Sequence, residues 1–338
     1  MLEVTALGWA LTIGAILGLL ALDLVVGIAR PHAVGFREAT AWSVFYVAAA
    51  VAFGLIFAGQ VGWEYGTEYF AGYIVEKSLS VDNLFVFVII MSTFAVPAEH
   101  QHKVLTFGIL TALVLRVIFI ALGAALLSLF SFMFLIFGAL LIWTAIQLYR
   151  HRDEDPSVED NALVRLTRRV LPVTTDYSGG RLATRVDGAR VFTPLFVALV
   201  AIGSSDLLFA LDSIPAVFGV TDEAYIVFVA NAFALLGLRA LFFLVKGLLD
   251  RLVYLSTGLA LILAFIGVKL VLHWGHGVSD RVPEVQTNVS LAVIVAVLLV
   301  TTVASLVKAR RDPAARAHAG SLRARARRPE PAPDTPES

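Results

Sequence analysis

The 338-residue chain contains no cysteine. That excludes a disulfide framework, a thiolate zinc site and a redox-active thiol. Charge is scarce too: Asp, Glu, Lys and Arg make up 15% of the residues, where soluble domains carry about a quarter. The formal net charge is zero, so there is no overall basic excess of the kind that nucleic acid demands. No nucleophile–base constellation, phosphate-binding glycine loop or zinc motif is present, so the chain reads as no enzyme. An intramembrane aspartyl protease would need Gly-x-Gly-Asp and Tyr-Asp, and both are missing. The N-terminus lacks the basic region of a signal peptide, and its first arginine follows the apolar run. It therefore reads as a first span.

Apolar residues fill the space that charge leaves. They are 59% of the chain, and the mean hydropathy is +0.84. Nine apolar runs recur, at 7–29, 40–58, 69–95, 104–128, 130–149, 192–219, 224–248, 252–273 and 289–307. Each is about long enough to cross roughly 30 Å of hydrocarbon. Of the 26 lysines and arginines, 21 fall in alternate connections and only Arg281 in the opposite set. Basic residues near span ends mark the cytoplasmic side, which puts the N-terminus outside and the C-terminus in the cytoplasm of a plasma-membrane protein. The aromatics of "VGWEYGTEYFAGY" suit an outer interfacial belt. The expected fold is an all-α polytopic membrane protein of about nine transmembrane helices, carrying two inverted three-helix repeats. Residues 1–68 hold two helices, 69–149 the first repeat and 150–191 a cytoplasmic loop. The second repeat occupies 192–273, an outer loop and last helix 274–307, and a disordered basic tail 308–338. A short amphipathic helix is expected around "NALVRLTRRVL" in the loop.

The repeat is legible in two acid pairs. "EKSLSVDNLFVF" at 76–87 aligns with "DLLFALDSIPAV" at 206–217. Glu76 then matches Asp206, Asp82 matches Asp212 and Asn83 matches Ser213. One helix later "TALVLRVIF" places Arg116 where "ALLGLRALF" places Arg239. A unit of three spans inserts its second copy upside down, as in transporters whose ion sites lie at mid-depth. Within each pair, six residues turn a regular helix through about 600°, so the two acids share a face only if the helix is distorted. "GSSD", "DSIP" and "KSLS" supply residues tolerated at such breaks.

A charged side chain at the bilayer centre costs about 2.5–3.5 kcal/mol or more and by default marks function. The buried set is Asp23, Glu76, Asp82, Asp206 and Asp212 against the counter-charges Arg116 and Arg239. Lys77 and Lys269 are placed nearer the outer surface, where long stems snorkel. The excess is three negative charges, or two if Lys77 stays inside. Arginine keeps its proton, so each is expected to hold one carboxylate. The remaining carboxylates, with Asn83, Ser205 and Ser213, form an all-oxygen donor set that suits Mg²⁺, Ca²⁺ or Mn²⁺. A carboxylate that takes either a proton or a metal also couples the two. Asp23 reads equally as a pathway entrance or an interfacial residue, and Asn231 as an interhelical hydrogen-bonding group. His100, His102, His273 and His276 read as surface histidines rather than a metal relay.

"LALDLVVGIARPHAVGFREATAWSVFYVAAAVAFGLIF", "GYIVEKSLSVDNLFVF" and "SSDLLFALDSIPAVF" resemble the TerC family of integral membrane proteins, over about residues 9–273. That family is named for tellurium resistance and includes pH-responsive members and manganese exporters. The resemblance implies Glu76, Asp82, Asp206 and Asp212 as motif acids, with Asp23 a further family-like position. It also implies Mn²⁺ as the transported ion, where the residues alone leave any hard divalent cation open. No resident cofactor is expected. The expected partners are the divalent metal ion and the lipid bilayer. An alternative reading is a membrane scaffold in a tellurium- or stress-resistance complex, recruiting soluble stress-response proteins through the 150–190 loop. Tellurite transport ranks last, because an acidic midplane repels an anion.

Overall fold

The computed structural model describes the chain except residues 1, 3, 30–34, 153–161, 175–176, 178–179, 187–188, 247–251, 280 and 313–338. Eleven helices follow one another among the described residues. They are α1 (Ala6–Ala29), α2 (Phe36–Val61), α3 (Trp63–Thr93), α4 (Ala98–Leu129), α5 (Met133–Arg150), α6 (Ala162–Val170), α7 (Pro194–Phe218), α8 (Ala224–Leu235), α9 (Leu238–Lys246), α10 (Leu255–Val278) and α11 (Thr287–Arg311). A hairpin of β1 (Ala183–Val186) and β2 (Ala189–Phe192) precedes α7. In hydrocarbon every backbone polar group must be satisfied within the segment, which is why apolar runs of this length become helices.

Seven helices are long and apolar enough to cross a membrane, and α8 with α9, bent by 44° at their junction, make an eighth. The protein is thus a mostly helical, multi-pass integral membrane protein with seven or eight candidate spans by composition, not the nine expected. The difference is α3. It is 31 residues long, or about 46 Å, but Glu64, Glu68, Glu76, Lys77 and Asp82 lower its apolar content. Packing shows how such a helix is tolerated. Leu84 and Phe87 of α3 join one core cluster, Ala71 and Val75 a second, and Tyr69 and Tyr73 a third. Helices α2, α7, α8, α9, α10 and α11 pack against it. Lipid-compatible side chains face outward instead on α1, α4 and α11, where Leu11, Ile118 and Val300 are more than half exposed. Of the aromatic stretch, Trp63 is exposed, whereas Tyr69 and Tyr73 are core residues. Tyr69 and Tyr73 therefore belong to the core rather than to a belt.

α3 and α7 pack antiparallel. Gly72 near the start of α3 meets Val217 near the end of α7, while Leu84 and Phe87 cluster with Leu195 and Ala198. α3 also packs against α8, α4 against α7, and α5 against α10. At the last crossing a Cβ on Gly138 would stand 2.7 Å from the Gly267 carbonyl oxygen, and one on Gly267 2.8 Å from that of Gly138. Two glycines let these backbones touch, as small residues do between membrane helices. The chain ends sort into two sets. Thr221 donates to Glu68 (2.6 Å) and the Leu2 amide to Glu223 (2.9 Å) at one end. At the other, the Tyr177 hydroxyl donates to the Phe94 carbonyl and Leu252 and Leu255 join the same core.

Two expectations about breaks are corrected. α7 runs unbroken past Asp206, Asp212 and Pro215, and α3 past Glu76 and Asp82. Pro215 costs α7 one N–H, a local loss that packing on both sides absorbs. The break falls at Gly237, whose φ of +75° lies in the left-handed region. A Cβ there would sit 2.5 Å from the Tyr46 ring. Gly237→Ala is expected to destabilise the protein through αL strain of about 1–2 kcal/mol plus overpacking of about 1–3 kcal/mol. A lower thermal midpoint in detergent is the check. In the loop, α6 covers the stretch expected to be amphipathic, and the hairpin after it was not anticipated. The first four residues assigned to the tail continue α11.

Candidate functional site

Near the middles of α3, α4 and α7 the sequence places Glu76, Arg116 and Asp206. The fold brings all three together. Arg116 is wholly buried and forms an ion pair with Glu76 through Nη1, while its Nη2 lies 3.7 Å from Asp206 Oδ1. Asn83 completes the group. With its amide oriented by its neighbours, it donates to the Leu79 carbonyl (3.1 Å) and accepts from Arg116 Nη2 (3.3 Å). One guanidinium therefore serves acids from both halves of the chain, rather than one carboxylate each as expected.

Arg239 behaves differently. Its Nη2 donates to Asp23 Oδ1 (3.2 Å), and the Tyr46 hydroxyl donates to the same oxygen (3.2 Å). Asp23 and Arg239 are both buried. This is a closed pair between α1 and α9, apart from the repeat acids. Lys77 does not snorkel outward. Its ammonium donates to the carbonyls of Ala234 (3.0 Å) and Leu236 (3.4 Å) inside the bundle. Snorkelling requires lipid around α3, where the fold puts protein.

Other buried polar atoms in this region lack hydrogen-bond partners among the described residues: Asp206 Oδ2, Ser80 Oγ, Ser213 Oγ, and Oδ1 and Nδ2 of Asn231. Buried polar groups are nearly always satisfied, so each orphan calls for an explanation, an ion or water among them. Ser213 precedes Val217 by one turn. Asn231 lies between Ala230, which adjoins Gly72, and Ala234, which meets Lys77. Asn231 is expected to bond a neighbouring helix and has no such partner among the described residues. Ser80 was not singled out from sequence, although a serine one turn beyond Glu76 in an apolar helix was the available signal. Ser205 is less free, since its hydroxyl donates to the Ala201 carbonyl (2.9 Å). The side chains of Asp82 and Asp212 lie outside the described residues. Among the described residues no three His, Asp or Glu side chains come together as a metal cage.

A cleft of about 760 Å³ opens at the end of the bundle that carries Thr221. Glu64, Glu68, Asp222 and Glu284 line it with Lys269 and His273, which agrees with the peripheral position expected for Lys269. His273 Nδ1 stands 3.0 Å from Glu284 and its Nε2 3.9 Å from Asp222, while His276 Nδ1 meets the Val282 carbonyl. These histidines tie the α10–α11 connection down. The His102 ring packs tilted against Phe243, and His100 sits against Gly180 at the other end.

Residues 61–313 match the model of the integral membrane protein TerC family. The chain is 43% identical over 311 residues to an uncharacterized membrane protein of Myxococcus xanthus, covering 92% of this chain and 95% of that one. It is 45% identical over 322 residues to an uncharacterized membrane protein of Mycobacterium tuberculosis, covering 90% and 80%. It is 46% identical over 226 residues to the chloroplastic thylakoid membrane protein TERC of Arabidopsis thaliana, covering 67% and 59%. No solved structure matches the chain.

Proposed function

The chain belongs to the TerC family of integral membrane proteins, and we propose that it exports a hard divalent cation, Mn²⁺, through the polar cluster around Glu76 and Asp206. The observation that carries this reading is the charge balance of the interior. Asp23 and Arg239 neutralise each other in a closed pair. By count of charges, Glu76, Asp82, Asp206 and Asp212 are then set against Arg116 and the inward Lys77. With every acid ionised, two negative charges remain, which one divalent ion balances. The orphaned oxygens of Asp206, Ser80, Ser213 and Asn231 are the hard donors that Mn²⁺, Mg²⁺ or Ca²⁺ accept. A scaffold would need none of these.

The packing supports the inverted repeat behind such a site. α3 with α4 and α5 forms one unit, and α7 with α8–α9 and α10 the other. The α3–α8 contact has its mirror in α7–α4, and the third helices cross each other. On this reading α3 is a ninth span, shielded by its neighbours, and a pseudo-two-fold passes between α3 and α7. The arginine bias puts the Glu68–Thr221 end outside a plasma membrane and the α6 end in the cytoplasm. Carboxylates that exchange metal for protons make the export proton-coupled.

The test is intracellular manganese in a manganese-sensitive strain that expresses the protein. Metal content is expected to fall with the intact chain and to stay high with Asp82→Asn or Asp212→Asn at matched protein levels. Unchanged metal with the intact chain, or full export by either variant, would overturn the proposal.

A further inference from the structure

We propose that the Lys77 ammonium is a tethered cation: it holds the seat that an alkali-metal ion takes at the C-terminal end of a broken transmembrane helix. The seat is built by the break at Gly237. α8 ends at Leu235, the chain turns through a residue with φ +75°, and α9 restarts at Leu238 with a bend of 44°. The last carbonyls of a helix have no intrahelical donor and carry about half a negative charge between them. Two of the carbonyls at this end, those of Ala234 and Leu236, accept from Lys77 Nζ at 3.0 and 3.4 Å. Among the described residues no carboxylate lies within ion-pair distance of Lys77. Among the described residues its counter-charge is thus a set of carbonyl dipoles. In secondary transporters, half-helix C-termini and unwound carbonyls of this kind coordinate Na⁺.

A lysine in that place has a physical consequence. A bound sodium ion must be captured from solution and can leave, whereas a covalently attached ammonium is always present. The chain therefore keeps its helix break assembled without an alkali ion. The same turn of α3 sends Glu76 towards Arg116 and Lys77 towards α8, so the anchored lysine also fixes the height of Glu76. None of this depends on which ion is exported, because the seat rests on the helix break alone.

The experiment compares thermal unfolding midpoints of the purified full chain in sodium chloride, potassium chloride and N-methylglucamine chloride at equal ionic strength. The intact protein is expected to unfold at the same temperature in all three. Lys77→Met is expected to unfold at a lower temperature in N-methylglucamine. Saturating sodium or potassium should then recover about 2–5 °C, the shift expected of a ligand that binds only the folded state. Lys77→Arg, which keeps the charge, is expected to be indifferent to the salt. No cation effect on Lys77→Met overturns the proposal, and so does a sodium requirement in the intact protein. Failure of both Lys77→Met and Lys77→Ala to accumulate, whatever cation is supplied, makes Lys77 a structural cap and overturns it equally. The readout is stability, so a failure here leaves the manganese reading untouched, and a failure of manganese export leaves the seat untouched.

Discussion

Replacing Arg116 by methionine is expected to cost about 3–5 kcal/mol of stability, the range for breaking a buried ion pair by removing one partner. The loss arises because the guanidinium is the charge partner of two acids. Arg116 and Glu76 are wholly buried and Asp206 is 2% exposed, so the carboxylates left behind find no water. At roughly 2–4 °C per kcal/mol for a chain of this order of size, the thermal midpoint in detergent should fall by about 6–20 °C. The combination Arg116→Met with Glu76→Gln and Asp206→Asn should recover most of that loss. An apolar or neutral replacement of a whole buried charge group is often close to neutral for stability. The triple variant should nonetheless export no manganese. Rescue of stability without rescue of transport separates the two jobs of the cluster: arginine holds the acids in the membrane, and the acids do the work. A midpoint unchanged in Arg116→Met would mean that water reaches Glu76 and Asp206 in the folded protein.

How much of this was legible in the sequence depends on what each residue has to touch. Acid pairs at a shared spacing, each followed by Leu-Arg one helix later, are local patterns, and they led directly to Glu76, Asp206, Arg116 and Arg239. Partner choice is not local. Nothing in "TALVLRVIF" or "ALLGLRALF" says that Arg116 gathers two acids while Arg239 turns to Asp23 on α1, since that follows from which helix α1 packs against. The helix break shows the same limit. Gly203, Pro215 and Gly237 all look like punctuation, and only Tyr46, packed where a Cβ would stand, singles out Gly237. Lys77 was misplaced because its snorkelling rule assumes a lipid-facing helix, and α3 contributes to all three core clusters. Asn231 was misjudged for a related reason. A lone asparagine in "VFVANAFALL" says that a polar contact is wanted, not whether a helix or an ion provides it.

Exchanging either described acid for its amide should remove manganese export at low metal concentration. Glu76→Gln and Asp206→Asn keep shape and hydrogen-bonding reach while removing one negative charge, so packing changes little. A unit charge about 4 Å away at an effective dielectric of 20 contributes about 4 kcal/mol per opposing charge. Losing a full carboxylate from beside a doubly charged ion therefore weakens binding by well over about a hundredfold. The two variants should fail in different ways. In Glu76→Gln, Arg116 is released from its ion pair and is free to close on Asp206, whose Oδ1 it already approaches to 3.7 Å. That removes a second donor and should leave no measurable metal binding. In Asp206→Asn, Glu76 keeps its arginine, so weak binding should persist at high metal concentration. Manganese flux into inverted membrane vesicles, measured against metal concentration at matched protein levels, distinguishes these outcomes. Glu284→Gln in the exposed cleft serves as the reference, since its carboxylate pairs with His273 at the periphery and its loss should leave the flux within about twofold. Full flux from Asp206→Asn would show that the ion crosses without this carboxylate, and the midplane cluster would then be structural.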